Sequence, residues 1–153
     1  MSFIDKERIF LENTSSSKEE LFDFLSEKIS ELDSSYDAEN IKEGLYDREK
    51  DGNTVIADMV AMPHARMESI KEIKVTIVSL LKPIEYSPDE SIDLAYSIVA
   101  PIDANDEFID VLTLIAMVVQ DEELQNIIRN SKVGDEEKIF SMIEDILKLY
   151  GGI

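Results

Sequence analysis

The chain contains no cysteine, so it has no disulfide frame, no thiolate metal site and no thiol chemistry. It has a single histidine, His64, among 153 residues. Chemistry that needs an imidazole near neutral pH therefore falls to that one side chain. Long apolar runs are also missing. The longest, Val111 to Val119, is sized for a core and not for a bilayer, which excludes a membrane-spanning reading. The opening residues Met1 to Lys6 lack the basic-then-apolar order of a secretory leader. Basic residues are scarce. Fifteen Lys and Arg stand against 34 Asp and Glu, a formal charge of −19. Such a chain repels nucleic-acid phosphates and anionic lipid, and is drawn to basic protein surfaces. Most of the acidic residues read simply as a solvated surface.

What is present fits one domain with a sizeable core, spanning residues 1–153, and these features suit the cytoplasm. There is no internal repeat, low-complexity tract or long linker. Arg8 to Leu11 reads as a first strand. Ser15-Ser16-Ser17 before Lys18-Glu19-Glu20 is an N-cap signal, followed by an apolar stripe from Leu21 to Leu32 at helical spacing. A second helix is expected from about Asp37 to Lys50, stopped by Asp51-Gly52-Asn53. Short extended pieces lead from Thr54 to His64. Ile73 to Leu81 reads as a strand ended by Lys82-Pro83, and Tyr86 to Glu90 as a loop. Ile92 to Ala100 reads as a strand covered on both faces and ended by Pro101. Three helices follow. Asn105 or Asp106 is expected to cap the first, Asp121 the second, and Gly134-Asp135 to open the third, which Gly151-Gly152 ends. Helices, strands, then helices predict an α/β domain layered helix–sheet–helix around a mixed sheet.

His64 lies in Met62-Pro63-His64-Ala65-Arg66. Proline fixes its own φ and biases Met62 toward extended backbone, so His64 is expected where a strand ends and a loop begins. As a metal ligand His64 has no second histidine or cysteine for company. As a base for a serine it lacks a nucleophile elbow. It can act as a nucleophile itself, and attack on a phosphoryl group needs one free ring nitrogen and fixed donors for the phosphoryl oxygens. Arg48, Thr54, Arg66 and loop amides are candidate donors, with Arg66 reading first as a solubility or loop-contact residue. Arg48-Glu49 also reads as an ordinary surface pair at a helix end. Met59 and Met62 read as packing residues, and Phe108 as core.

Arg48-Glu49, then Thr54, then Val60-Ala61-Met62-Pro63-His64-Ala65 resembles the mannitol/fructose-type enzyme IIA domain of the bacterial phosphoenolpyruvate-dependent sugar phosphotransferase system. The likeness extends over nearly the whole chain and fits a galactitol-like or divergent member. It implies the mannitol-type enzyme IIA fold and a cytoplasmic phosphocarrier with no metal or organic cofactor. It implies that His64 takes a phosphoryl group from the phosphocarrier HPr and passes it to a IIB component that serves a membrane IIC. Arg48 would bind the phosphoryl group, Glu49 would help hold the site, and Thr54 would line the pocket. A non-transferring or regulatory module is the alternative.

Two departures from that pattern stand out. Phe108 falls where many members carry a second histidine, which removes one donor. Galactitol-type and regulator-fused members also lack it. Ala57-Asp58-Met59 replaces a loop that is often Gly-Asn-Gly. Asp58 either faces the site, where it repels a phosphoryl group and raises the pKa of His64, or caps a turn and points away.

Overall fold

A computed structural model describes residues 3–151. The first residues of the Met1–Lys6 segment and Gly152 of the terminal glycine pair lie outside the described residues. A 3-10 turn at Lys6–Arg8 leads into β1 (Ile9–Asn13), so the first strand starts one residue later than the sequence suggests. Helices α1 (Lys18–Ser30) and α2 (Ala38–Glu49) follow. Next come β2 (Val55–Ala57), β3 (Val60–Ala61), β4 (His64–Met67), β5 (Lys74–Ser87) and β6 (Glu90–Pro101). The chain closes with α3 (Asn105–Val119), α4 (Glu122–Arg129) and α5 (Glu136–Leu149).

The six strands form one mixed sheet in the order β1-β5-β6-β3-β2, with β4 also on β6. β5 and β6 are antiparallel, while β1 runs parallel to β5, and β3 and β4 run parallel to β6. Side chains of a strand alternate between faces. On β6, Leu94, Tyr96, Ile98 and Ala100 join the core under α3, α4 and α5. Ala95 and Val99 join the core under α1 and α2. β6 is therefore buried on both faces, which explains its near-continuous apolar sequence. The architecture is the expected three-layer α/β arrangement.

The helix starts divide into two kinds. Ser17 accepts from the Glu20 amide at 3.1 Å while Glu20 reaches back to the Ser16 amide, and Asp121 accepts from the Leu124 amide. α3 departs from expectation. Neither Asn105 nor Asp106 caps it; Ala104 occupies the cap position and makes no side-chain bond. Asn105 instead bonds Arg66.

Two strand boundaries also differ. β5 continues through Pro83 to Ser87, and the expected loop shrinks to a tight turn before Glu90. The pairing of β1 with β5 ends at Leu80, so on that side no ladder partner faces the missing Pro83 N–H. The β5–β6 register also shifts between Ser79 and Ile84, where a proline is tolerated. His64 opens β4 rather than following a strand. Met62-Pro63 falls between β3 and β4, and both pieces pair with the same edge of β6.

The site is assembled where these layers meet. Gly44 of α2 lies directly against the Met67 side chain of β4, and a Cβ at position 44 would overlap it. This close approach sets the C-terminal turn of α2, which carries Arg48 and Glu49, beside the first residue of β4.

Candidate functional site

His64 is half-buried in a cavity of about 910 Å³ whose lining includes Arg48, Arg66, Ile102 and Phe108. Its two ring nitrogens have different partners. Nδ1 lies 2.7 Å from the Met62 carbonyl oxygen, and Nε2 lies 3.2 Å from Arg48 Nε. A carbonyl can only accept and a guanidinium can only donate. The neutral ring that satisfies both carries its proton on Nδ1 and keeps the lone pair on Nε2. Burial holds the His64 pKa below its ordinary value of 6.5; the Met62 carbonyl opposes that shift and the Arg48 charge reinforces it. The arrangement is a neutral imidazole with one nucleophilic nitrogen facing a fixed cation.

Arg48 uses its remaining reach on the Gly52 carbonyl at 2.9 Å, which ties the loop after α2 to the site. Arg66 projects from β4 two residues beyond His64, so both side chains leave the same face of the strand. Its guanidinium sits 5.6 Å from the centre of the Phe108 ring and donates to Asn105 and to the Ile102 carbonyl. The Phe108 ring is in turn 5.9 Å from the His64 ring. Phe108 is buried, as a core reading expects, but it also forms one wall of the histidine cavity. Four carboxylates, Glu43, Asp47, Asp51 and Glu68, complete the rim.

Glu49 and Thr54 do not line this cavity. They join each other beneath α2. Thr54 Oγ1 donates to Glu49 Oε2 at 2.5 Å and, having used its proton, accepts from Tyr86 Oη at 2.8 Å. Lys18 Nζ completes the cluster at 3.0 Å from Glu49 Oε1, with its ammonium 4.1 Å from the centre of the Tyr86 ring. The Glu49 side chain is only 5% exposed. Burial and the Glu49 charge push the Tyr86 phenol above the usual tyrosine range, so it stays a donor. Lys18 and Tyr86 carried no signal in the sequence, because they come from α1 and β5 and converge only in the fold.

Asp58 is placed away from His64. It borders a separate cleft beside α4, where Arg129 donates to its backbone carbonyl and clasps Asp93 at 2.8 and 2.9 Å. The possibility that Asp58 raises the pKa of His64 is thereby overturned. Met59 in the same loop has φ of 63°, a left-handed conformation that a glycine would take more easily. Among the described residues, no group of three or more His, Asp or Glu side chains converges to hold a metal ion.

With this geometry in view, comparison with known proteins is decisive at the level of the family. Residues 2–146 match the family described as the phosphoenolpyruvate-dependent sugar phosphotransferase system, EIIA 2. The chain belongs to that family. Among its relatives, a mannitol-specific phosphotransferase enzyme IIA component of Bacillus subtilis is 26% identical over 149 residues, covering 95% of this chain and 99% of that protein. A nitrogen regulatory protein of Bradyrhizobium diazoefficiens is 27% identical over 129 residues, covering 83% and 82%. The fold matches the crystal structure of IIA mannitol from Escherichia coli with a TM-score of 0.73 at 21% identity, over 94% of this chain and 98% of that one. It also matches the nitrogen regulatory protein IIA-Ntr of Neisseria meningitidis with a TM-score of 0.79 at 24% identity, over 91% and 94%. The mannitol-type enzyme IIA fold expected from the sequence is thus the fold observed. No helix among the described residues is long and apolar enough to cross a membrane.

Proposed function

We propose that this EIIA domain is a phosphohistidine carrier that acts in the cytoplasm, taking a phosphoryl group from phospho-HPr on His64 and passing it to a IIB component for sugar uptake. The observation that carries this reading is the pairing of His64 with Met62 and Arg48, which leaves Nε2 as the single nucleophilic nitrogen and places a guanidinium beside it. In the forward step the Nε2 lone pair forms the bond to phosphorus. The bond from phosphorus to the donor's ring nitrogen breaks, and its electron pair returns to that nitrogen. A donor ring protonated at its other nitrogen leaves as neutral imidazole, while His64 keeps its Nδ1 proton and becomes the phosphorylated imidazolium. The Met62 carbonyl stabilises the charge that the ring acquires. Arg48 Nε–H is released from the lone pair and passes to a phosphoryl oxygen, so charge stabilisation is preorganised.

Glu49 and Thr54 act as positioning residues in this reading. They brace the end of α2 and so hold Arg48 in place. The carboxylate rim favours a partner with a basic docking face. The likeness to a complex of IIA mannitol with phosphorylated IIB mannitol from Escherichia coli supports a IIB partner. Incubation with phosphoenolpyruvate, enzyme I and HPr is expected to place one acid-labile phosphate on the wild-type chain and none on His64→Ala. An unlabelled wild type, under conditions that label a control EIIA domain, would refute the carrier reading.

A regulatory role is the second reading. It is favoured by the likeness to nitrogen regulatory proteins. The two separate on the next step: a transport component discharges its phosphoryl group to a IIB domain, and a regulator retains it.

A further inference from the structure

The chain is strongly acidic, and its cations mostly find carboxylates. Lys18, Lys42, Lys71 and Arg129 each pair with one, and Arg129 grips both oxygens of Asp93. The two arginines in the His64 cavity do not. Arg48 bonds His64 Nε2 and the Gly52 carbonyl; Arg66 bonds the Ile102 carbonyl and the Asn105 side chain. Every acceptor is neutral, and neither guanidinium has a carboxylate within ion-pair distance among the described residues. Four carboxylates nevertheless rim the same cavity. Two full positive charges therefore line the histidine's cavity without a carboxylate partner, Arg48 against the ring and Arg66 against Phe108.

A phosphoryl group on Nε2 presents three oxygens carrying about two negative charges. Arg48 approaches Nε2 from the α2 side. Phe108 walls the cavity from the α3 side and offers no N–H. Arg66 rests on that ring, on the same strand face as His64, held by two neutral oxygens that it can exchange for charged ones. An ionised phosphoryl oxygen adds Coulomb attraction and bidentate geometry that the neutral oxygens do not offer, so the exchange is favoured. Guanidinium geometry suits two phosphoryl oxygens at once.

Resting on the carrier reading, we infer that Arg66 is a second phosphoryl-binding residue, which closes on the phosphoryl group from the Phe108 side while Arg48 holds it from the α2 side. Phe108 acts as the platform that keeps the exposed Arg66 guanidinium at the cavity mouth, as a cation–π seat. Asn105, left free because it does not cap α3, is the latch that parks Arg66 when the site is empty.

The test uses the full chain and two phosphoryl donors, phospho-HPr and the small molecule phosphoramidate, which needs no protein docking. Arg66→Gln is expected to slow labelling of His64 by about 10- to 100-fold with both donors, and Arg66→Lys to recover part of that loss by restoring charge. Arg66 is exposed, so the variants should melt with the wild type. Slowing with phospho-HPr alone would make Arg66 a docking residue and overturn the inference. Equal rates in Arg66→Gln and wild type would overturn it while leaving the carrier reading intact. A wild type that neither donor labels would overturn both.

Discussion

Arg48 Nε points its hydrogen at His64 Nε2 across 3.2 Å, so a permanent cation faces the one ring nitrogen that has a lone pair. The contact lowers the basicity of the ring without removing its nucleophilicity. It is sustained from below by the buried Lys18–Glu49–Thr54–Tyr86 cluster and from the side by the seating of Gly44 on Met67.

Because burial and Arg48 both disfavour the imidazolium, the His64 ring should titrate with a midpoint below 6.5. The single histidine makes its proton NMR signal self-assigned. Arg48→Gln removes one of the two causes and should move the midpoint upward. The folded pKa is depressed, so between it and 6.5 the unfolded chain binds the proton that the folded chain refuses. Stability from neutral His64 is therefore complete above pH 6.5 and is lost as pH falls through that window. Denaturation curves of wild type and His64→Gln should differ in their pH dependence there. A midpoint at or above 6.5 would contradict the geometry.

Arg48→Gln should also slow phosphorylation of His64 by about 100-fold, the scale of losing one preorganised donor, while Arg48→Lys retains charge without the planar fork and falls between. Rapid-quench labelling with phospho-HPr checks this. An unaltered rate would remove Arg48 from the proposed machinery.

Glu49→Ala should cost about 2–3 kcal/mol in urea denaturation, because it strips Lys18 and Thr54 of their shared, nearly buried acceptor. Thr54→Val should cost about 1–2 kcal/mol by leaving Glu49 and Tyr86 each short of a partner. Both variants, where folded, should transfer more slowly through a less firmly held Arg48. Loss of stability with an unchanged rate would restrict the cluster to scaffolding.

Gly44→Leu forces bulk into the contact with Met67 and should destabilise the fold by about 1–3 kcal/mol. It pushes α2 away from β4, so the His64 titration midpoint should rise toward that of Arg48→Gln. Gly44→Ala, which can be absorbed by rotation of the methionine, should show the same shift in smaller measure.

Much of the fold was legible because its signals are local. The apolar run of β6, the Ser17 and Asp121 caps and the stripes of α1 and α2 each follow from residues within one element. The misread boundaries depend on neighbours. Pro83 sits inside β5 because β1 has already ended beside it, and α3 starts without a side-chain cap because Ala104 holds the cap position, which leaves the Asn105 side chain to Arg66. In the site, His64 and Arg48 meet as the spacing suggested, whereas Glu49 and Thr54 stand behind them, not around the ring. Arg66 reads in the sequence first as a solubility or loop-contact residue and second as a candidate donor to a phosphoryl group. The period of two along β4 was the available clue that it shares a face with His64. The Lys18 and Tyr86 partners had no clue, since their contacts join residues 31 and 32 positions apart.

The interruption at Met62-Pro63 has a consequence for selectivity. Where one strand is broken into β3 and β4, the Met62 carbonyl turns to the ring of the residue two positions on. That carbonyl keeps the ring proton on Nδ1 and the lone pair on Nε2, so under the proposed carrier reading the phosphohistidine would be the Nε2-linked isomer. Under that reading, the choice between the two ring nitrogens belongs to a main-chain carbonyl two residues before the ring.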